Sequence, residues 1–265
     1  MLTDRRAATR SHGQPRLGGA FHLLWLGQAV SQLGDYLPYI ALPLFVKYLI
    51  DGTFGLAAVY SLETLPAVVV GLFGGYLIDR MRLRRTMIFT DLVRAGAFGY
   101  LAVLAASNPA EGSGRGLASV FVVALVAGTF ASFFNGALYS AVPRVVPPER
   151  LTDANGRLAS TQGLANVVGP ALAGLLVASV GFWPTFAINA ATFLVSAITL
   201  AFVPGIDGRA SDGGDPETPS RMLDGMRHLW TEPRIRLATL GTAGAHLVLG
   251  FFEATLVLIA EDIGA

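Results

Sequence analysis

The chain contains no cysteine, which excludes disulfides and thiolate metal sites. Charge is scarce too. Only 14% of its 265 residues are Asp, Glu, Lys or Arg, and the 19 basic residues nearly balance the 18 acidic ones. A formal net charge of +1, with arginines scattered between apolar runs and not gathered on one face, gives nucleic acid nothing to bind. Enzyme signatures are missing as well: no glycine loop precedes a lysine to cradle phosphates, no histidine pair has metal spacing, and no serine sits in a hydrolase context. We therefore expect no enzyme, no ATP-driven pump, no cofactor and no metal.

Apolar sequence is what the chain has in excess. With 53% hydrophobic residues and a mean hydropathy of +0.56, it cannot hide its apolar side chains in one soluble core. A bilayer is the medium this composition fits. Runs of about 20 residues or more, enough to cross one, are Ala20–Ile50, Ala57–Ile78, Thr86–Ala106, Leu117–Val142, Leu158–Val180, Thr185–Val203 and Leu237–Ala260. The run after Gly19 is too long for a signal-peptide core, so the first span is read as retained. The expected organisation is a tail at 1–19, a six-helix transmembrane bundle at 20–203, a connector at 204–236 rich in Gly, Asp, Pro and Ser, and a seventh helix at 237–265. Near the connector's end Met222, Leu223, Met226, Leu229 and Trp230 fall at helical spacing beside Arg221 and Arg227, which predicts an amphipathic helix lying on the leaflet.

Arginine sets the expected orientation. Sixteen of the 19 basic residues fall in the tail, the second-to-third turn, the fourth-to-fifth turn or the connector. Lys47 and Arg115 alone fall on the other side, and Arg94 lies inside a span. By the positive-inside rule the N-terminus is cytoplasmic, and seven helices then put the C-terminus outside the plasma membrane.

The most specific stretch is Gly74-Gly75-Tyr76-Leu77-Ile78-Asp79-Arg80-Met81-Arg82-Leu83-Arg84-Arg85, an apolar run that ends abruptly in four arginines. Its glycines permit close helix approach, and its charges must stay outside lipid. It resembles the signature turn between the second and third helices of major facilitator superfamily transporters, G-x-L-A/G-D-R-x-G-R-R/K. Ile78, Arg82 and Leu83 depart from that pattern. Further likeness to drug, siderophore and macrolide exporters lies in Ser31-Gln32-Leu33-Gly34-Asp35, Asp91-Leu92-Val93-Arg94-Ala95, Pro143-Arg144-Val145-Val146-Pro147 and Gly169-Pro170-Ala171-Leu172-Ala173-Gly174. The fourth span lacks the arginine that many drug–proton antiporters carry there.

This resemblance implies an all-α polytopic membrane bundle: the six-helix N-terminal half of a major facilitator fold plus one further transmembrane helix. Such transporters have two six-helix halves with the substrate site between them near the bilayer midplane. The implied function is proton- or ion-coupled efflux of a small amphiphilic molecule, the chemistry of multidrug-resistance antiporters. A second half-transporter chain or a homodimer would then complete the cavity. The alternative is a truncated or accessory membrane protein that does not itself transport and needs a partner chain. The other partners expected are the lipid bilayer and the small-molecule substrate.

Ionisable residues inside spans cost roughly 2.5–3.5 kcal/mol on insertion scales, so each is a functional candidate. Asp35, near the middle of the first span, is the leading proton or cation site; its structural alternative is a carboxylate bonded to a neighbouring helix. Pro38 and Pro43 predict a kinked lining helix. Glu63 lies about two turns from the outer end of the second span, within reach of interfacial water. Asp91 and Arg94, three apart, can pair on one face and anchor the signature turn, whose gating set is Gly75, Asp79, Arg80, Arg84 and Arg85. Asn135, Asn166 and Asn189 read as helix-to-helix hydrogen-bonding groups or ligand contacts. Gly169, Pro170 and Gly174, with Gly163, predict a packing bend in the fifth helix. His246 and Glu253 share a face of the last helix without an assigned role.

Overall fold

A computed structural model of the chain describes residues 17–50, 58–107 apart from 60, 64, 68, 71–76 and 79, 114–209, and 230–241 with 244. Gly75, Asp79, His246, Glu253 and the connector's Met222 to Leu229 lie outside the described residues. Two units divide the chain, Met1–Gly214 and Asp215–Ala265. In the second, residues 230–231, 233–241 and 244 are helical.

The first unit is built from helices. They are α1 (Gly19–Leu49), α2 (the helical residues described between 58 and 80), α3 (Leu83–Ala106), α4 (Gly114–Val145), α5 (Leu151–Val180) and α6 (Phe182–Phe202). A 3₁₀ turn, Pro148–Arg150, joins α4 to α5, its proline sitting at the first position where no N–H donor is needed. Gly181 separates α5 from α6 with φ 85°, a left-handed backbone that glycine adopts without a Cβ clash. Among the described residues no strand is formed; the one extended pairing is an isolated bridge.

Among the described residues four helices are long and apolar enough to cross a membrane: Leu83–Ala106, Gly114–Val145, Pro148–Val180 and Phe182–Phe202. At 31 residues α1 has the length, but Gln28, Gln32, Asp35 and two prolines dilute its apolar run. It stays helical through Pro38 and Pro43, both buried. Helix also outlasts hydropathy at α5, which begins seven residues before the apolar run from Leu158, because backbone hydrogen bonding continues where polar side chains take over.

The helices pack in a definite order. Along the bundle α5 packs on α1, α1 on α6, α6 on α3 and α3 on α4, whereas α4 and α5 scarcely meet. Lipid tails are as apolar as leucine, so burying leucines against each other inside a bilayer gains little, and close packing with interhelical hydrogen bonds must hold the helices together. Several glycines provide that approach. A Cβ on Gly27 or Gly34 of α1 would strike Thr199 or Thr192 of α6, one on Gly169 of α5 would strike Tyr36, and one on Gly128 of α4 would strike the Glu63 backbone. Side-chain bonds add to it: Trp25 Nε1 donates to Thr161 Oγ1 at 2.9 Å, Gln28 Nε2 to Ser196 Oγ at 3.2 Å, and Tyr100 and Ser119 hydroxyls meet at 2.9 Å.

Among the described residues two apolar clusters fill the interior. One gathers Phe45, Leu49, Phe98, Leu101, Val120, Phe186 and Phe193; the other Phe21, Leu24, Leu83, Met87, Phe134, Leu138 and Leu200. Buried polar groups not assigned to either include Gln28, Ser31, Asp91, Arg94, Asn189 and Ser196.

At the α3 N-terminal end the short turn is fastened to the segment after α6. Leu83 N–H donates to Gly208 O at 3.2 Å and Arg84 N–H to Ile206 O at 3.3 Å, with a bridge between Arg82 and Arg209. The Arg84 guanidinium donates to Ala201 O at 2.7 Å and to Val203 O, capping the carbonyls that α6 leaves open, and pairs with Asp207 at 2.8 Å. Asp207 is 73% exposed, so water screens that pair. Arg84→Ala should therefore destabilise the detergent-solubilised protein by about 1–2 kcal/mol in thermal unfolding, and Asp207→Ala by less than about 0.5 kcal/mol. Equal losses would mean that the ion pair, not the cap, fastens the turn.

Candidate functional site

The site is assembled around Arg94. Position 94 faces inward on α3, and its side chain is only 3% exposed. Its Nη2 lies 2.5 Å from Asp91 Oδ1, one turn back on the same helix, and its Nη1 lies 3.5 Å from Asp35 Oδ1 on α1. The guanidinium carbon sits 4.2 Å from the Phe193 ring centre and 4.8 Å from that of Phe134, so aromatic faces cover it on α6 and α4. One cation thus joins four helices.

The two carboxylates are held very differently. Asp91 is fully buried and in tight contact with the guanidinium. Asp35 is 44% exposed, at the longer distance, almost at the midpoint of α1. Its exposure opens onto two cavities. The first, 350 Å³, lies where α4 and α5 part, with α1 as its floor, and is lined by Gln32, Asp35, Tyr36, Tyr39, Asn135 and Tyr139 among others. A second, 230 Å³, is lined by Asp35, Glu63, Arg94, Phe98, Gly128 and Phe193.

Among the residues singled out from sequence, Asp35, Glu63 and Arg94 share the second cavity and Asp35 and Asn135 the first. Asp91 contacts Arg94. The Asp91 and Arg94 pair faces α1 and the aromatic rings, while Arg84 does the fastening of the turn. Arg80 and Arg85 are exposed. Asn166 is exposed on α5 and lines neither cavity. Asn189 is buried against Gly34, and among the described residues neither of its amide atoms has a partner. Gly169 packs on Tyr36, Pro170 lies inside α5, and Gly174 has open space where a Cβ would go. Among the described residues no cluster of His, Cys, Asp and Glu has the makings of a metal site.

Tyr36, Tyr39, Tyr139 and Gly128 escaped the sequence reading, and Gln32 enters it only as part of the stretch Ser31–Asp35. A signal existed for the first two: aromatic side chains one and four residues after a mid-membrane aspartate cannot all point away from its cavity. Tyr139 and Gly128 carried no such signal, because only tertiary packing brings α4 to α1 and α2.

The Major Facilitator Superfamily profile matches residues 24–264, nearly the whole chain. The chain belongs to the major facilitator superfamily. It is 30% identical over 212 residues to Macrolide efflux protein A of Streptococcus pyogenes, covering 78% of this chain and 50% of that protein. It is 24% identical over 231 residues to Multidrug efflux pump Tap of Mycolicibacterium fortuitum, covering 82% and 54%. An uncharacterized major facilitator transporter of Bacillus subtilis, YfiS, is 26% identical over 246 residues, covering 91% and 54%. The chain spans about half the length of these relatives. As a member of this superfamily it is a membrane protein of the exporter-like branch, built as an all-α bundle.

Proposed function

We propose that this chain supplies one half of a proton-coupled exporter of a small amphiphilic molecule, with Asp35 as the group that takes up and releases the proton. The observation that carries this reading is the position of Asp35, a mid-helix carboxylate open to two cavities and loosely paired with Arg94. The names of the relatives, macrolide and multidrug efflux, supply the direction and the kind of cargo.

The physics of coupling follows from the shared guanidinium. While Asp35 is ionised, Arg94 bridges α1 and α3. Protonating Asp35 removes the attraction across that gap and leaves Arg94 to Asp91 alone, so α1 is freed to tilt. A charge moved off the cavity wall in this way changes which side of the bundle closes best, which is what alternating access requires. A second half-transporter chain, or a second copy of this one, would close the open side of the cavity.

A reading as an accessory subunit that does not transport is favoured by the gap between α4 and α5, which another protein would fill. Flux separates the two. In vesicles holding this chain with a complementary half, a pH gradient should drive substrate exchange, and Asp35→Asn should lower that exchange at least about tenfold while leaving gradient-independent counterflow measurable. Unchanged gradient-driven exchange in Asp35→Asn would remove the proton role. Absence of flux from every assembly would favour the accessory reading.

A further inference from the structure

A larger pocket lies apart from the cavities at Asp35, where the first turns of α1 meet those of α5. It measures 470 Å³ and is lined by Trp25 of α1, by Arg150 just before α5, and by Asp153, Arg157, Ser160 and Thr161 on α5, among others. Arg150 pairs with Asp153 at 2.9 Å. Arg157 is exposed, and among the described residues no carboxylate lies within ion-pair distance of it. Its guanidinium meets the ring of His22 instead. With Nδ1–H of that ring donating to Gly18 O at 3.0 Å, Nε2 is left to accept from Arg157 Nη1 at 3.4 Å. A neutral imidazole orients the guanidinium without cancelling its charge.

The walls suit a phosphate and an apolar body attached to it. Ser160 and Thr152 bring hydroxyl donors to the pocket that Arg157 charges. Thr161 Oγ1 accepts from Trp25 Nε1 at 2.9 Å and donates to Arg157 O at 2.9 Å, which holds the indole against α5. Arg157 stands where the apolar run from Leu158 begins, at the polar edge of the span, and an indole is favoured at that level. Beyond it the same face of α5 turns apolar. Leu164, Val168 and Leu175 fall at helical spacing from Arg157 and are 63%, 36% and 65% exposed. From Arg157 to Val168 the helix rises roughly 16 Å, about half the hydrocarbon thickness of a bilayer and so the depth of one leaflet.

These features choose among anions. A soluble one would use the charge and leave the apolar stripe bare. A zwitterionic lipid brings its own cation, and the lining carboxylate, Asp153, is already taken by Arg150. We infer that this pocket holds the headgroup of an anionic phospholipid from the leaflet at the N-terminal ends of α1 and α5, with its phosphate on Arg157 and the nearby hydroxyls and an acyl chain laid along Leu164, Val168 and Leu175. The site is independent of Asp35 and of any cargo.

The test is lipid retention by the purified full chain, read by native mass spectrometry from detergent micelles holding equal amounts of phosphatidylglycerol and phosphatidylcholine. Phosphatidylglycerol adducts should exceed phosphatidylcholine adducts by at least about threefold. Arg157→Gln should bring the two to parity, and Arg157→Lys, which keeps the charge, should retain most of the preference. Arg115→Gln, at the other end of α4 from the α5 junction, should change nothing. Location is read separately: in the Trp183→Phe, Trp230→Phe protein, which keeps Trp25 as its one indole, phosphatidylglycerol brominated on its acyl chains should quench fluorescence, and Arg157→Gln should relieve the quenching. Thermal unfolding of each variant identifies any that is merely misfolded. Equal retention of the two lipids by the wild-type chain would overturn the inference, as would a preference that survives Arg157→Gln. Displacement of the lipid by excess inorganic phosphate, but not by sodium chloride of equal ionic strength, would make the occupant a soluble anion and overturn the lipid assignment.

Discussion

Arg94→Met is expected to destabilise the bundle by about 3–5 kcal/mol, enough to deplete folded protein from the membrane. The size of the effect comes from what is left behind. Asp91 is fully buried, and its contact with Arg94 is the charge compensation it has among the described residues. Without the guanidinium an acid remains in an apolar interior, and α1, α4 and α6 each lose their contact with α3 through this side chain. Asp91→Asn combined with Arg94→Met removes the orphaned charge, so the double variant should recover more than half of the loss. Arg94→Lys should fall between, since it keeps the charge but not the fork or the stacking on Phe134 and Phe193. Thermal unfolding in detergent, with surface and total expression as a second measure, checks the series. An Arg94→Met protein that unfolds at the wild-type temperature would show that the cluster does not hold the helices together.

The second large effect is expected from Gly128→Val. An added Cβ at 128 meets the carbonyl oxygen, carbonyl carbon and Cα of Glu63, all backbone, so no rotamer change relieves the clash and α4 must move away from α2. Overpacking of this kind costs about 1–3 kcal/mol, occasionally more. The clash at Gly136 is with Ile78 Cδ1, the far end of a flexible side chain. Gly136→Ala should therefore cost less than Gly128→Ala. Gly174→Ala, with nothing nearby to strike, should stay within about 0.5 kcal/mol of wild type. Finding all three alike would mean that close backbone approach contributes nothing special here. Gly128 also lines the cavity that Glu63 and Asp35 share, so the same clash should disturb the site.

The identity of the ionisable residues is legible in the sequence: a carboxylate or guanidinium in an apolar run is conspicuous wherever the helix packs, and Asp35, Glu63, Asp91 and Arg94 all stand out that way. Their partners are not. Spacing along α3 allows Arg94 to reach Asp91, but nothing along the chain says that Asp35, 59 residues away, lies 3.5 Å from the same guanidinium. Glu63 reads as an outer-end residue by counting turns; in the bundle it shares a cavity with Asp35 and Arg94. Glycines posed the same problem. Gly169, Pro170 and Gly174 look like one bend, yet Gly169 is a contact point with α1 and Gly174 faces open space.

Hydropathy and the signature turn by themselves determined that this is an all-α membrane protein of the major facilitator superfamily, because the cost of placing unpaired backbone in lipid leaves long apolar runs no other regular form than helix. Which helices touch, where α4 and α5 part, and which carboxylate Arg94 holds loosely were decided by the tertiary structure alone. Apolar side chains gain little from one another inside a bilayer, so helix order is set by steric fit at glycines and by a few polar contacts, and both depend on three-dimensional neighbours that a linear pattern does not encode.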